Sequence, residues 1–130
     1  MSTPLAIEQN AGQIEKWMMD ALLRLLHQKP YADIRIKEIT NEAQLARCTF
    51  YRYYSSKDEL LLRCCRLRAN KLAARMRQEN YYTFYGVSIA YFSFFLEERA
   101  FFDLLRANDL LYFFIRSYDD LMFDVARAVK

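Results

Sequence analysis

The chain has 130 residues, a net charge of +3, 54% apolar residues, two Gly, two Pro and three Cys. So few breakers exclude a turn-rich β-fold and favour long helices, in one domain or one compact domain with a small module. An odd, partly adjacent cysteine set (Cys48, Cys64, Cys65), with one histidine (His27) and no signal-peptide pattern ahead, excludes a disulfide framework and an ordinary zinc site and points to a reducing cytoplasm.

The first helix is read from Ile14, Trp17, Met18, Ala21, Leu22, Leu25 and Leu26, one apolar stripe at helical spacing. Asn10 is placed to cap it. Pro30 disfavours helix at Lys29, so it should end near His27 or Gln28. Ile36, Ile39 and Ala43 then mark a short second helix. Leu45, Phe50 and Tyr54 mark a third, after a turn around Gln44–Ala46. Ser55 or Ser56 starts a fourth. Ser56-Lys57-Asp58-Glu59 has the S-x-x-E form of a capping box ahead of Leu60, Leu61 and Leu62, and this helix should run from Lys57 to about Gln78.

Charge is uneven along these elements. Residues 1–34 hold three basic and four acidic side chains, residues 35–77 eleven and four, and residues 78–130 five and eight. The central block is thus net +7 between stretches of −1 and −3, which is the footprint of a polyanion reader; a solvated helix face is the plainer reading for Arg63–Arg77 taken alone. Two short helices across a tight turn are the helix-turn-helix pattern, whose second helix enters the major groove. That helix lies in ARCTFYRYYSSKDEL, residues 46–60, which displays Arg47, Thr49, Tyr51, Arg52, Tyr53 and Lys57. Arg47 and Thr49 stand at its N-terminal end, where base edges are met. Tyr51 and Tyr53 offer hydroxyls to phosphates, and Lys57 opens the next helix, whose N-terminus also favours an anion.

These residues resemble the DNA-binding region of the TetR/AcrR family of bacterial regulators. The matching positions are Ile34, Ile36, Ile39, Ala43, Thr49, Phe50, Tyr51, Tyr53, Tyr54, Lys57 and Leu60, and the resemblance spans roughly residues 10 to 65. It implies that Arg47, Cys48 and Thr49 face bases and that Tyr51, Tyr53 and Lys57 hold phosphates. It further implies that Phe50 locks the recognition helix into the core, and that Arg35 and Lys37 touch the backbone or a groove edge. Three positions depart from the family pattern. Gln44 replaces the turn Gly and must adopt a left-handed conformation unless the turn differs. Ala46 replaces a capping Ser, and Arg35 a capping Thr.

Residues 80–96 form a charge-free run, NYYTFYGVSIAYFSFFL. It is slightly short for a membrane span and carries polar residues, so a helix buried inside a helical protein is expected. Phe84, Val87, Tyr91, Phe94 and Phe95 keep helical spacing, while Tyr85, Ile89 and Phe92 make that helix apolar nearly all round and in need of cover on every side. A short helix from Glu97 to about Arg106 follows. Leu111, Phe114, Ile115, Tyr118, Leu121, Met122 and Val125 make a last stripe. By position and composition this half resembles the family's effector-binding and dimerisation domain. The family implies two further C-terminal helices, so the chain is expected to be a fragment or a short form. Its aromatics are core, or they line a cavity for an apolar or aromatic effector, with Tyr85, Tyr91, Phe92, Phe95, Tyr112 and Tyr118 as the candidates.

The expected architecture is therefore all-α, with a helix-turn-helix domain over residues 1–56 and a helical effector and dimerisation domain over 57–130. The expected function is a ligand-responsive repressor, a cytoplasmic homodimer on palindromic double-stranded DNA, released by a small effector, with no cofactor, no metal and no membrane. The alternative is a protein-binding co-regulator that has lost operator reading. An enzyme is disfavoured: there is no Ser/His/Asp set, no Gly-rich phosphate loop and one histidine.

Overall fold

A computed structural model describes residues 4–78 and 83–129. The helices are α1 (Pro4–Gln28), α2 (Ile36–Ala43), α3 (Arg47–Tyr53), α4 (Lys57–Gln78), α5 (Phe84–Glu97), α6 (Arg99–Ala107) and α7 (Leu111–Val129), with one 3-10 turn at Tyr31–Asp33 and no strand among the described residues. The chain divides into two compact units, Met1–Leu61 and Leu62–Lys130.

In the first unit the α1 stripe behaves as its spacing demands. Met18, Ala21, Leu22, Leu25 and Leu26 are buried, and Ile34, Ile39, Phe50, Tyr54, Leu60 and Leu61 complete the core. Two expectations are corrected. Asn10 does not cap α1: the helix begins at Pro4, so Asn10 lies inside it. Trp17 sits at the edge of the stripe, 45% exposed, in a shallow groove with Asp20, Arg24, Glu42, Ala43 and Gln44. The Arg24 guanidinium bridges α1 to Glu42 of α2 at 2.9 Å.

The turn between α2 and α3 forms without glycine. Gln44 is left-handed, φ 58° and ψ 43°, its N–H donates to the Asn41 carbonyl at 3.1 Å, and the Leu45 N–H closes onto the Thr40 carbonyl at 2.8 Å. These bonds satisfy the end of α2 as a glycine-terminated helix would. The side chain at Gln44 still meets its carbonyl in this conformation. We expect Gln44→Gly to stabilise the first unit by about 0.5–1 kcal/mol, the strain relieved less the freedom glycine gains when unfolded. Urea melts followed by Trp17, the sole tryptophan and a neighbour of Gln44, would read this; an unchanged or lower midpoint refutes it.

The start of α4 also differs in register from the sequence reading. Ser56 Oγ accepts from the Glu59 N–H at 3.3 Å, as the box requires. The reciprocal arm reaches one residue further back: the Glu59 carboxylate accepts from the Ser55 N–H at 2.9 Å and the Ser55 hydroxyl at 2.5 Å. Ala46, which precedes α3, makes no side-chain cap, and its carbonyl accepts from the Thr49 N–H at 3.0 Å.

The second unit is built on aromatic contacts. The Phe102 ring lies 4.9 Å from Phe95, 5.8 Å from Phe94 and 4.8 Å from Phe114. Cys64 and Cys65 are fully buried, and burial, with Cys64 alongside, pushes the Cys65 thiol up to about 12. Such thiols are packing residues. At the α6–α7 corner, left-handed Asp109 lets the Leu110 N–H reach the Leu105 carbonyl at 2.8 Å.

Two stripe assignments in this half are corrected. On α7 the buried line is Phe113, Phe114 and Ser117, with Leu110 just ahead of it, whereas Leu111 and Ile115 are exposed. Ser117 is tolerated inside because its hydroxyl donates to the Phe113 carbonyl at 2.9 Å. The side chain of Val125 and residues 80–82 lie outside the described residues. On α5 only the line Gly86, Ala90 and Phe94 is buried, so this helix is not covered all round. No helix among the described residues is long and apolar enough to cross a membrane.

Candidate nucleic-acid interface

Seven residues of α3 must serve two surfaces. Phe50 turns inward and is fully buried, its ring 5.6 Å from Tyr51 and 5.7 Å from Tyr54. At 100° per residue Cys48 and Arg52 lie opposite Phe50, with Tyr51 and then Arg47 running round one side, and all four are exposed. Thr49 and Tyr53 lie on the other side and are half-buried. The structure thus brings Arg47, Cys48, Tyr51 and Arg52 together on one outward strip, two guanidiniums around a phenol and a thiol.

Arg35 and Lys37 are exposed at the start of α2, along a shallow groove shared with Lys29, Ala32, Asp33, Glu38 and Asn41. Arginine cannot accept a hydrogen bond from the helix, so half a capping box is left: the Glu38 carboxylate accepts from the Arg35 N–H at 3.1 Å. That carboxylate also holds the Lys29 ammonium at 2.6 Å. Lys29 was not among the sequence candidates; its place beside Pro30, outside the motif, gave no signal.

Lys57 is placed differently from the other candidates. Its ammonium donates to the Tyr31 carbonyl at 2.7 Å and the Ile34 carbonyl at 2.9 Å, and stands 4.3 Å from the centre of the Tyr31 ring. Three N–H bonds are available to an ammonium, so one remains for an outside anion. The same ring sends its hydroxyl to Asp58. Lys57 therefore fastens the 31–34 segment to the head of α4. Tyr54 does similar work nearby, donating its hydroxyl to the Glu15 carboxylate at 2.8 Å.

The basic residues further along α4 belong to another arrangement. Arg68 reaches Glu98 at 3.1 Å and lies 3.8 Å over the Phe101 ring. Lys71 reaches Glu98 at 3.4 Å, Arg75 reaches Glu97 at 2.6 Å and Arg66 reaches Asp124 at 3.4 Å. Much of the central positive block is thus answered by the acidic second half, a pairing across sequence that a local charge tally misses.

Three glutamates are held below the ordinary value of 4.5 by the partners just named: Glu38 by Lys29 and the Arg35 N–H, Glu59 by the Ser55 hydroxyl and N–H, and Glu97 by Arg75. A carboxylate depressed in the folded state stabilises above its unfolded value, and that contribution is lost as pH falls through the lowered one. Thermal midpoints should therefore hold from neutral pH to about 5 and fall below it. Melts across that range check this, and a midpoint that rises on acidification refutes it.

The second unit contains a cavity of about 260 Å³ lined by Leu72, Tyr91, Phe95, Phe102, Leu111, Phe114, Ile115 and Tyr118. Of the six effector candidates, Tyr91, Phe95 and Tyr118 line it. Tyr85, Phe92 and Tyr112 do not; they stand outside it at 74%, 74% and 60% exposure. Two of the four candidate tyrosines, Tyr91 and Tyr118, are thus kept, in a wall otherwise built of Phe rings and aliphatic side chains. Burial pushes the Tyr91 phenol up, as such surroundings require. Leu72, Phe102, Leu111, Phe114 and Ile115 were not among the candidates, because single apolar positions carry no mark of the hollow beside them.

Residues 18–64 match the family model described as bacterial regulatory proteins, tetR family. No curated protein and no solved structure matches the chain significantly. The match covers the helix pair, its turn and the strip on α3. With seven helices among the described residues, a buried Phe50 behind an outward basic strip and that match, residues 18–64 are similar to the DNA-binding region of the tetR family of bacterial regulatory proteins, which supports a DNA-binding regulator of transcription.

Proposed function

We propose that the protein is a repressor that binds a palindromic operator as a homodimer and leaves it when an uncharged apolar or aromatic molecule enters the second-unit cavity. The observation that carries the DNA reading is the outward strip Arg47, Cys48, Tyr51 and Arg52 braced from behind by Phe50. Arg47 and Cys48 open the helix, where side chains meet base edges, and Arg52 and the Tyr51 hydroxyl suit phosphates. Arg35 and Lys37 extend the positive surface. A two-fold dimer would set two such helices about 34–36 Å apart, or a multiple of that, on successive major grooves. The cavity supports an uncharged effector because no charged side chain lines it, and its size suits a compound of one or two rings. A preference of a few kcal/mol for one conformation is enough to shift occupancy.

Fluorescence anisotropy with the upstream region of its own gene, against random DNA at several salt concentrations, tests the reading. Equal affinity for both sequences, or no binding at low salt, rejects it. Arg47→Ala is expected to relax base preference. Lys37→Ala should weaken all sequences alike and flatten the salt slope by about one unit.

A further inference from the structure

We propose that the second-unit cavity takes an aromatic hydrocarbon free of hydrogen-bonding groups, and rejects the same ring once it carries a hydroxyl. The inference rests on the effector reading above and names the chemical class. Five of the eight described residues around the hollow are rings. Tyr91 and Phe95 on α5 lie nearly parallel, 23° apart, and so do Phe114 and Tyr118 on α7. Phe102 meets Phe114 edge-on at 4.8 Å, and Tyr91 meets Tyr118 at 67° and 6.2 Å. The wall thus offers both ring faces and ring edges. A flat guest with its own negative faces and positive edges finds a partner for each, which a saturated molecule of the same size does not.

Three observations separate such a guest from other occupants. First, no nitrogen or oxygen of the lining residues opens into the hollow: Tyr91 and Tyr118 lend it ring carbons, and the rest is Phe, Leu and Ile. A hydroxyl carried in among them gives up its bonds to water with nothing in return. Second, no charged side chain lines the hollow among the described residues. Arg68 and Arg75, one turn either side of Leu72 on α4, already face Glu98 and Glu97, so neither an anion nor a cation is called for. Third, the mouth is edged by carbon. Phe95, Leu111 and Ile115 line it and are 41%, 38% and 57% exposed. A guest of one or two rings reaches water with a hydroxyl only by lifting its ring off the wall. Adding one hydroxyl would therefore end the signal, and the protein would report the parent hydrocarbon rather than its hydroxylated product.

Equilibrium dialysis of the full chain against naphthalene, 2-naphthol and decalin, the saturated counterpart, tests the class. Naphthalene is expected to bind about tenfold more tightly than decalin, whose larger apolar surface would win in a merely greasy hollow. It should bind roughly 10- to 100-fold more tightly than 2-naphthol. Benzyltrimethylammonium, a cation that an aromatic box can hold, should not displace it. Ile115→Asn sets an amide on the wall at an exposed position, so the fold is kept. It should narrow the gap between naphthalene and 2-naphthol at least roughly threefold, while Phe123→Ala, off the wall, leaves the gap unchanged. 2-Naphthol or decalin bound as tightly as naphthalene, or a gap untouched by Ile115→Asn, overturns the class and leaves the effector reading standing. Displacement by the ammonium, or no binding of any of the three neutral compounds, overturns the uncharged-effector reading with it.

Discussion

Phe50→Ala is expected to cost the first unit about 3–5 kcal/mol and to abolish DNA binding with it. Phe50 is fully buried, touches Tyr51 and Tyr54, and is the one fully buried side chain of a seven-residue helix. A helix that short has no stability of its own in water, so its attachment to the core is its folding energy. A unit of about sixty residues commands roughly 3–9 kcal/mol in total, so the loss is comparable to the whole. Urea melts read by Trp17 should show the first transition collapse, while Phe50→Leu should keep most of the stability and some DNA affinity. A Phe50→Ala protein that melts like wild type would refute the assignment.

Lys57→Ala is expected to lower stability by about 2–3 kcal/mol even without DNA, because the Tyr31 and Ile34 carbonyls lose a charged donor and the Tyr31 ring loses its cation. In a unit this size the thermal midpoint should fall by roughly 15–25 °C. A residue acting on phosphate alone would leave the DNA-free midpoint where it is and flatten only the salt slope, by about one unit. Melting the DNA-free variant therefore separates the two roles. An unmoved midpoint would show that the carbonyl bonds carry little.

What could be read from sequence follows the range of the interaction concerned. The order of α1 to α4, the end of α1 before Pro30 and the burial of Phe50 follow from spacing, breakers and a motif, all local. The turn at Gln44 was legible as a choice between strain and a different turn, and the left-handed φ of 58° resolves it toward strain. The box at Ser56 slipped by one residue because Ser55 and Ser56 offer the same chemistry, and only geometry picks the N–H that Glu59 reaches. Partnership across the chain was not legible. Arg68, Lys71 and Arg75 read alone as a solvated helix face, or with the residues ahead of them as part of a polyanion footprint, until Glu97 and Glu98 are brought beside them. The α5 aromatics suggested a helix covered on all sides, and the α7 stripe was centred one residue off, because periodicity fixes that a face exists without fixing what lies against it.

The α4 ion pairs with Glu97 and Glu98 have a bearing on how affinity is measured. At physiological ionic strength charges are screened beyond about 8 Å, and higher salt weakens exposed pairs such as Arg75–Glu97 and Lys71–Glu98 as surely as it weakens contacts to phosphate. A salt titration of DNA release would then record two events at once, loss of grip on the duplex and loosening of the helix that carries Leu72 into the cavity wall. Competition with unlabelled DNA at one fixed salt concentration keeps the second constant, and the difference between the two protocols would measure how far the protein's own electrostatics, rather than the operator's, set its release.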